Sequence, residues 1–187
     1  MFILHKIFEF LLDTIQTILL AASVFLVIYI FIARPFQVSG QSMYSTFKDG
    51  EYVLTNLITL RFETPVKGDV IVFKAPNDPD KDYIKRIIAT EGDNVFIKDG
   101  FVYLNNQKLD ESKYLQSNVR TYGESFLTEG KVITVDKDEF FVLGDNRPAS
   151  SDSREFKPIK LSSIIGKSMF VYWPPNAMRW VKNPYYN

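Results

Sequence analysis

The stretch TIQTILLAASVFLVIYIFIA, residues 14 to 33, decides how the chain is organised. Its 20 residues carry no charge, and as an α-helix they would extend roughly 30 Å, about the thickness of the hydrocarbon layer of a membrane. The sequence therefore predicts one transmembrane helix at about residues 14–33, within an N-terminal membrane anchor of residues 1–34. A buried core helix fits less well, because core helices rarely remain uncharged for this length. A cleaved signal peptide would need a shorter apolar run and a small-x-small exit.

After Pro35 the pattern changes to short stretches rich in β-branched and aromatic residues, separated by turn-forming residues. They read EYVLTNLITLRF, GDVIVFKAP, YIKRIIAT, NVFIKDGFVYLNNQKL, KVITVDKDEFFVLGDN and SMFVYWPP. The prediction is a mainly β protein, in which the N-terminal helix is followed by an all-β domain over residues 35–187. Hairpin turns are predicted at Lys98-Asp99-Gly100 and at Asn105-Asn106-Gln107. Residues of about 94–138 are predicted to be a peripheral hairpin and loop insertion, with a polar loop at 110–131.

The composition excludes several classes of function. Lysine plus arginine and aspartate plus glutamate both number 22, so no net positive field attracts nucleic acid, and we expect no nucleic-acid partner. The chain has no cysteine and a single histidine. Thiol catalysis, disulfides and the usual zinc sites are therefore excluded, and we expect neither a metal nor a cofactor.

The stretch SGQSMYST, residues 39 to 46, contains Ser42, a possible nucleophile that would need a neighbouring base. The lone His5 precedes the membrane helix, so a Ser-His-Asp triad cannot readily form in the β domain. A serine hydrolase would therefore need a lysine. Ser45 and Lys48 match the S-x-x-K pattern of penicillin-binding proteins, but its companion motifs are missing.

Lys85, in DYIKRIIATEGD, is the other candidate base. On a strand it shares a face with Tyr83 and Ile87, whereas Arg86 points to the opposite face. Burial there would lower the lysine pKa by up to roughly 3 to 5 units, and we expect no carboxylate close enough to offset this. The periodicity leaves an alternative equally open, in which Lys85 lies on an edge strand and extends into water.

Four sequence motifs, taken together and in order, resemble those of a known protein family. SGQSMYST, GDVIVF, YIKRIIATEGD and GDNRPASSDSR follow one another in this order after the apolar helix. From about residue 10 to residue 175 the chain resembles the type I signal peptidases, membrane-bound serine endopeptidases that cleave signal peptides from exported preproteins. The resemblance implies that Ser42 is the nucleophile and Lys85 its general base, acting through an acyl-enzyme. It also implies that Ser150 hydrogen-bonds the lysine amine.

The resemblance assigns further residues. Asp145, Asp152 and Arg154 match positions that brace the site through charged hydrogen bonds; without the resemblance, a surface ion pair would be the preferred interpretation. The substrate-binding residues implied are Gly40, Met43, Tyr83 and Ile84. Shallow pockets imply small residues, chiefly alanine, at positions −1 and −3 of the precursor.

The sequence departs from the family pattern at Ser45, Phe47, Ala89 and Glu91, where proline, leucine, glycine and proline are usual. These changes affect loops rather than the reactive groups. Gly40 lacks the hydroxyl that some members add to the oxyanion hole. The oxyanion would therefore rest mainly on the Ser42 backbone N–H.

Partners and location also follow from the resemblance. It implies preprotein signal peptides and the lipid bilayer as partners, a cytoplasmic N-terminus and an extracytoplasmic domain in the plasma membrane. The charges do not fix this orientation, because Lys6 precedes the helix while Arg34 and Lys48 follow it. A set of apolar side chains either rests on the bilayer or belongs to the core, namely Leu57, Ile58, Leu60, Phe62, Trp173 and Trp180.

Two other classes of protein share parts of this pattern. A self-cleaving repressor of the serine-lysine fold would have Ser42 and Lys85, but it would carry a DNA-binding helical domain in place of the membrane helix. A membrane-tethered β binding module without catalysis would explain the anchor and the strands equally well. Only the four ordered motifs disfavour it.

Overall fold

The structure, a computed structural model, describes residues 2–185. It confirms a mainly β fold preceded by one long apolar helix. That helix, α1, spans Phe2–Phe31 and exposes all its described side chains. It begins 12 residues before the uncharged run, because neither glycine nor proline occurs before Pro35 and isolated charges do not end a helix. Within the described residues, α1 is the one helix long and apolar enough to cross a membrane.

The described chain after α1 contains twelve strands and one further short helix, α2 (Ser153–Phe156), joined by loops and 3-10 turns. The strands are β1 (Ala33–Gln37), β2 (Tyr52–Asn56), β3 (Val70–Ala75), β4 (Asp78–Ala89), β5 (Asn94–Lys98), β6 (Phe101–Leu104), β7 (Gln107–Lys108), β8 (Ile133–Thr134), β9 (Glu139–Leu143), β10 (Ile159–Lys160), β11 (Ile164–Trp173) and β12 (Arg179–Trp180). The strand predicted over residues 51–62 ends at Asn56, where a short 3-10 turn follows.

All strand pairs are antiparallel and they form two sheets. The larger sheet has the order β1-β2-β11-β3-β4-β9-β10, with β12 beside β11. The smaller sheet, β7-β6-β5-β8, is built from the segment predicted as an insertion. The predicted domain boundary after residue 34 falls inside β1, so the strand that opens the large sheet follows α1 almost directly.

Both predicted hairpin turns are present. Between β5 and β6, Asp99 and Gly100 have φ angles of 53° and 78°. Between β6 and β7, Asn105 and Asn106 have φ angles of 50° and 65°. Two consecutive residues with positive φ form the tight turn whose twist matches that of antiparallel strands. Residues 110–131, predicted as a loop, contain turns but no strand.

The core consists of three apolar clusters. One lies between the two sheets and includes Ile88, Val95 and Phe141. A second surrounds Ile71, Phe73 and Ile87 on the large sheet. The third contains Met43 and Phe47 from the segment after β1, together with residues of β2, β3 and β11. This third cluster anchors the segment that carries Ser42.

The predicted membrane-contact residues divide into two groups. Phe62, Trp173 and Trp180 are 79%, 52% and 67% exposed, so the core alternative is wrong for these three. Leu60 is half-buried against the cluster around Ile71, as a core residue would be. Leu57 and Ile58 are also half-buried. Contact with a bilayer stays a prediction for the exposed three.

Candidate active site

Ser42 lies on the nucleophile loop, defined here as residues 39–47, between β1 and β2. The turn after β9 holds this loop: the Asn146 N–H donates to the Ser42 carbonyl oxygen at 2.9 Å, and Asn146 Nδ2 donates to the Gln41 carbonyl oxygen at 3.0 Å. At the start of the loop, the Gly40 N–H donates to Asp49 Oδ1 at 2.7 Å. The position of Ser42 is therefore fixed by hydrogen bonds from two separate segments.

Lys85 of β4 contacts Ser42 directly. Its Nζ lies 2.8 Å from Ser42 Oγ and also donates to the Ile84 carbonyl oxygen at 3.1 Å. The side chain is 4% exposed, and Nζ lies 5.1 Å from the centre of the Tyr83 ring. The alternative of a lysine that extends into water is therefore wrong, although β4 is unpaired on one edge at this residue. When the amine is neutral, the same distance allows Nζ to accept the proton of Oγ.

Burial lowers the pKa of Lys85 from 10.5 to about 8, because desolvation disfavours the ammonium form. The negative charges of Asp152 and Asp145 raise this pKa and partly offset the effect of burial. The expectation that no carboxylate lies close enough to offset burial is therefore wrong in part, because these two carboxylates offset some of it, whereas the expected lowering of the pKa is found. The net direction nevertheless makes the neutral amine accessible near neutral pH.

The rate of peptide cleavage should rise with pH along an acidic limb with an apparent pKa of about 8, if Lys85 is the base. Protonated lysine cannot accept the serine proton, so activity is lost as pH falls through the folded-state pKa. The measurement is kcat/KM against pH between about 6 and 10. A profile that is flat across pH 8 would contradict the assignment of Lys85.

Ser150 lies beside the Gly144–Ser42 contact and forms no hydrogen bond with Lys85. Its hydroxyl is buried and has no hydrogen-bond partner among the described residues, so the predicted bond to the Lys85 amine is wrong. A Cβ at Gly144 would overlap both Ser150 Oγ and the Ser42 carbonyl oxygen. Only glycine therefore allows the turn after β9 to approach the nucleophile loop this closely. An orienting role for Ser150 stays a prediction.

Two buried ion pairs support the site from behind. Asp145 binds Arg86 through two hydrogen bonds, with Nε 2.9 Å from Oδ1 and Nη2 2.7 Å from Oδ2. Asp152 binds Arg154, with Nε 2.8 Å from Oδ1. Asp145, Asp152, Arg86 and Arg154 are at most 2% exposed. The surface-pair interpretation is therefore wrong for both pairs.

Three further residues of this support, each within one of the four motifs, were given no role by the sequence analysis. Thr46 Oγ1 donates to Asp145 Oδ2 at 2.5 Å, which ties the nucleophile loop to the ion pair. Arg147 is fully buried and binds Glu111 and Thr121 of the long loop. Arg86 could have been found from its strand position, because it must face away from Lys85 and a buried arginine needs a carboxylate partner.

Ser42 and Lys85 line a cleft of about 210 Å³. Tyr83 and Ile84 line it, as predicted. Met43 does not, because its side chain is 1% exposed and packs in the core, and Gly40 lies outside the lining. The other walls come from β1, β2, β3, β4 and two loops, namely Phe36, Gln37, Val38, Ser39, Val53, Val72, Asp82 and Ser151.

The competing S-x-x-K pair gains no support from the structure. Ser45 and Lys48 are both exposed, and no hydrogen bond joins them. Among residues 2–185, no group of three or more histidine, aspartate or glutamate side chains is arranged to hold a metal ion.

Comparisons with known proteins agree with the motifs. The family described as signal peptidase, peptidase S26, matches residues 11–173. Signal peptidase IB of Staphylococcus aureus strain MRSA252 is 35% identical over 185 residues, covering 93% of this chain and 95% of that protein. Thylakoidal processing peptidase 1, chloroplastic, of Arabidopsis thaliana is 34% identical over 79% of this chain and 44% of that protein. A crystal structure of a signal peptidase I from Enterococcus faecalis V583 has 30% identity, with a TM-score of 0.45 over 56% of this chain and 97% of that one.

These matches define the class of protein, a hydrolase that cleaves peptide bonds. The chain belongs to the signal peptidase family, peptidase S26, and the resemblance found in the motifs is confirmed. The alternatives of a self-cleaving repressor and a non-catalytic binding module are not supported by matches that extend over nearly the whole chain.

Proposed function

We propose that this protein removes signal peptides from exported preproteins with Ser42 as nucleophile and Lys85 as general base. The observation that carries the proposal is the 2.8 Å contact between Ser42 Oγ and a buried lysine amine, both in the lining of a cleft. The direct test is incubation of the detergent-solubilised chain with a purified preprotein, with the cleavage site determined by mass spectrometry. Cleavage elsewhere than at the signal-peptide junction would contradict the proposal.

The proposed reaction proceeds through an acyl-enzyme formed by Ser42 with Lys85 as the base. As Ser42 Oγ bonds to the scissile carbonyl carbon, its proton passes to neutral Lys85 Nζ and the carbonyl electrons move to oxygen. Collapse of the intermediate breaks the C–N bond, and the leaving amine takes the proton from Nζ. A water molecule then gives its proton to Nζ and attacks the ester carbon. Ser42 Oγ leaves and recovers its proton.

The Ser42 backbone N–H is the proposed oxyanion donor. It forms no hydrogen bond with another residue of the range 2–185, so it remains able to donate. Removal of one oxyanion donor typically costs about 3 to 4 kcal/mol of transition-state stabilisation. The hydrogen bond from Asn146 to the Ser42 carbonyl oxygen fixes the direction of the neighbouring peptide groups.

The cleft supports recognition of an extended peptide with small side chains. β4 pairs with β3 from Asp78 to Arg86, but with β9 only from Arg86 onward. Residues before Arg86 therefore leave one edge free on which a substrate strand can add. A volume of about 210 Å³ is small, which fits the expectation of alanine-sized residues at positions −1 and −3.

We propose that α1 anchors the enzyme in the plasma membrane, with residues 1–34 as the anchor and 35–187 as the catalytic domain. The smaller sheet and its loop, about residues 94–138, would form a peripheral insertion. Anchoring confines enzyme and preprotein to one membrane surface and raises their effective concentration. Because β1 follows α1 and contributes Phe36 and Gln37 to the cleft, a membrane-bound substrate could reach the site along the same route.

The proposed orientation places the N-terminus in the cytoplasm and the β domain outside, where signal peptides emerge. Protease added to intact spheroplasts of cells producing the protein should therefore digest the β domain, detected with an antibody against it. A cytoplasmic marker protein should survive, which controls for lysis. Protection of the β domain until the cells are permeabilised would show the opposite orientation.

A further inference from the structure

Arg179 opens β12, which pairs with β11, and it lies after the last of the four motifs. Its guanidinium nevertheless contacts the nucleophile loop, because Nη2 donates to the Thr46 carbonyl oxygen at 2.6 Å. Arg179 is not among the residues that line the cleft. It is therefore placed to act on the loop that carries Ser42 and not on a substrate in the cleft.

Glu51 fixes the orientation of this guanidinium. Arg179 Nη1 lies 2.9 Å from Glu51 Oε1 and Nη2 lies 2.5 Å from Oε2, while Nη1 also donates to the Ala177 carbonyl oxygen at 2.7 Å. Two parallel hydrogen bonds to one carboxylate hold a guanidinium in a single plane. Glu51 is 2% exposed, and a buried carboxylate is strongly destabilising without its partner. Arg179 therefore has little freedom to leave the Thr46 carbonyl.

Glu51 also contacts both ends of the nucleophile loop. Its Oε2 accepts a hydrogen bond from the Lys48 N–H at 3.1 Å, just after the loop. Its backbone carbonyl oxygen accepts one from the Val38 N–H at 2.8 Å, just before the loop. Val38 itself lines the cleft. The Arg179–Glu51 pair thus joins the beginning and the end of the loop to one buried residue.

The peptide group between Thr46 and Phe47 connects Arg179 to the nucleophile. Its carbonyl oxygen accepts from Arg179, and its N–H donates to the Met43 carbonyl oxygen at 2.8 Å. Because a peptide group is planar, a rotation that moves its oxygen also moves its N–H. Met43 directly follows Ser42, so such a rotation would displace the backbone beside the nucleophile. The Thr46 side chain is held separately by Asp145, so loss of Arg179 should loosen the loop without releasing it.

We propose that Arg179 is a positioning residue, which holds the Thr46 carbonyl oxygen and thereby keeps Ser42 Oγ and the Ser42 backbone N–H aligned for the reaction. This inference rests on the proposed function. Since Arg179 does not line the cleft, its loss should slow the chemical step and leave substrate binding nearly unchanged. A displacement of about 1 Å at a reacting group can cost on the order of 100-fold in rate.

The test uses Arg179→Met in the full-length chain in detergent, because methionine is similarly long but donates no hydrogen bond. With a purified preprotein, we expect kcat to fall roughly 10- to 100-fold and KM to change by less than about twofold. The acidic limb of the pH profile should keep its apparent pKa of about 8, because the charges that act on Lys85 are those of Asp152 and Asp145.

A second variant removes the charge that the first one leaves unpaired. Glu51→Gln/Arg179→Met has no buried carboxylate but keeps an acceptor for the Lys48 N–H. Thermal unfolding should show it to be more stable than Arg179→Met, while its kcat should remain low because the Thr46 carbonyl still lacks its donor. This variant keeps the test decisive even where the single variant fails to fold.

Two further variants complete the comparison. Arg179→Lys keeps the charge beside Glu51, but one ammonium cannot reproduce the fork that holds Glu51 and Thr46 together, so kcat should lie between those of wild type and Arg179→Met. Arg120→Met is the matched control. Arg120 is also half-buried and also donates to backbone carbonyl oxygens, those of Ser117 and Val119 in the long loop. Its kcat should equal that of wild type.

The outcomes separate the inference from the proposed function. If wild type cleaves the preprotein and kcat is also at the wild-type level in folded Arg179→Met, in the double variant or in Arg179→Lys, the inference is wrong and the proposed function stands. A rise in KM at unchanged kcat, or an equal loss of kcat in Arg120→Met, also overturns the inference. If wild type cleaves no preprotein at its junction, the proposed function itself fails.

Discussion

Replacement of Ser42 by alanine is expected to reduce preprotein cleavage by on the order of 10⁴-fold or more, because it removes the nucleophile of a group that acts as a unit. The β domain should remain folded, since Ser42 is only half-buried and the backbone hydrogen bond from Asn146 does not involve its side chain. The measurement is single-turnover cleavage of a purified preprotein, together with circular dichroism to establish folding.

Two further serines make this experiment specific. Ser162→Ala, at an exposed position between β10 and β11, is the matched control and should cleave at the wild-type rate. Ser45→Ala tests the S-x-x-K alternative. Loss of activity on changing Ser45, with retention on changing Ser42, would reassign the nucleophile.

Replacement of Lys85 by methionine is expected to abolish cleavage and at the same time to stabilise the fold at pH 7. Methionine has no proton acceptor, so the base is lost. Folding transfers the lysine into a site where its pKa falls from 10.5 to about 8. That difference corresponds to about 3 kcal/mol of unfavourable free energy for the buried ammonium at pH 7. An apolar side chain of similar length avoids this cost.

The sign of the pH dependence gives an independent check. Between pH 8 and 10.5 the unfolded lysine binds a proton that the folded lysine does not, so the free energy of unfolding of wild type rises with pH in that range. The advantage of Lys85→Met should therefore be fully present below about pH 8 and vanish above about pH 10.5. Thermal unfolding of both full-length proteins in detergent measures it. An unchanged or lower Tm at pH 7 would contradict the burial of a charged amine.

Lys85→Arg separates loss of the base from relief of the buried charge. The guanidinium keeps its proton throughout this pH range, so cleavage should be lost as in the methionine variant. Its charge remains buried, however, and its volume is larger, so no stabilisation is expected. An active arginine variant would show that Lys85 is not the base.

The buried ion pairs explain why the site could be only partly predicted from sequence. Asp145, Asp152 and Arg154 were found through the family motif, but charged residues in a polar turn are usually exposed. The burial of Asp145 depends on a partner far away in the chain, because Arg86 lies 59 residues before it. Met43 was predicted to bind substrate, but its side chain packs in the core, whereas its neighbour Ser42 lines the cleft. The motif alone does not show which of two adjacent side chains is buried.

The sequence by itself determined the features that depend on neighbouring residues. An uncharged run of 20 residues implies a long apolar helix, and alternating apolar stretches with Asp-Gly and Asn-Asn turns imply strands and hairpins. The four motifs in order identified the family, and the absence of cysteine and of a usable histidine left lysine as the base. These inferences need only local pattern and chemical type.

Only the tertiary structure decided which groups meet. Lys85 Nζ contacts Ser42 Oγ although 43 residues separate them in the chain. The pKa of Lys85 falls because burial removes water from the amine. Ser150 forms no hydrogen bond with this amine. A cavity of about 820 Å³ is likewise lined by segments between Ser45 and Pro184. The distance between Ser42 and Lys85 and the desolvation of the amine both depend on packing between segments that are remote in sequence. Antiparallel strand pairing and core formation bring these segments together, and no local sequence pattern encodes their proximity.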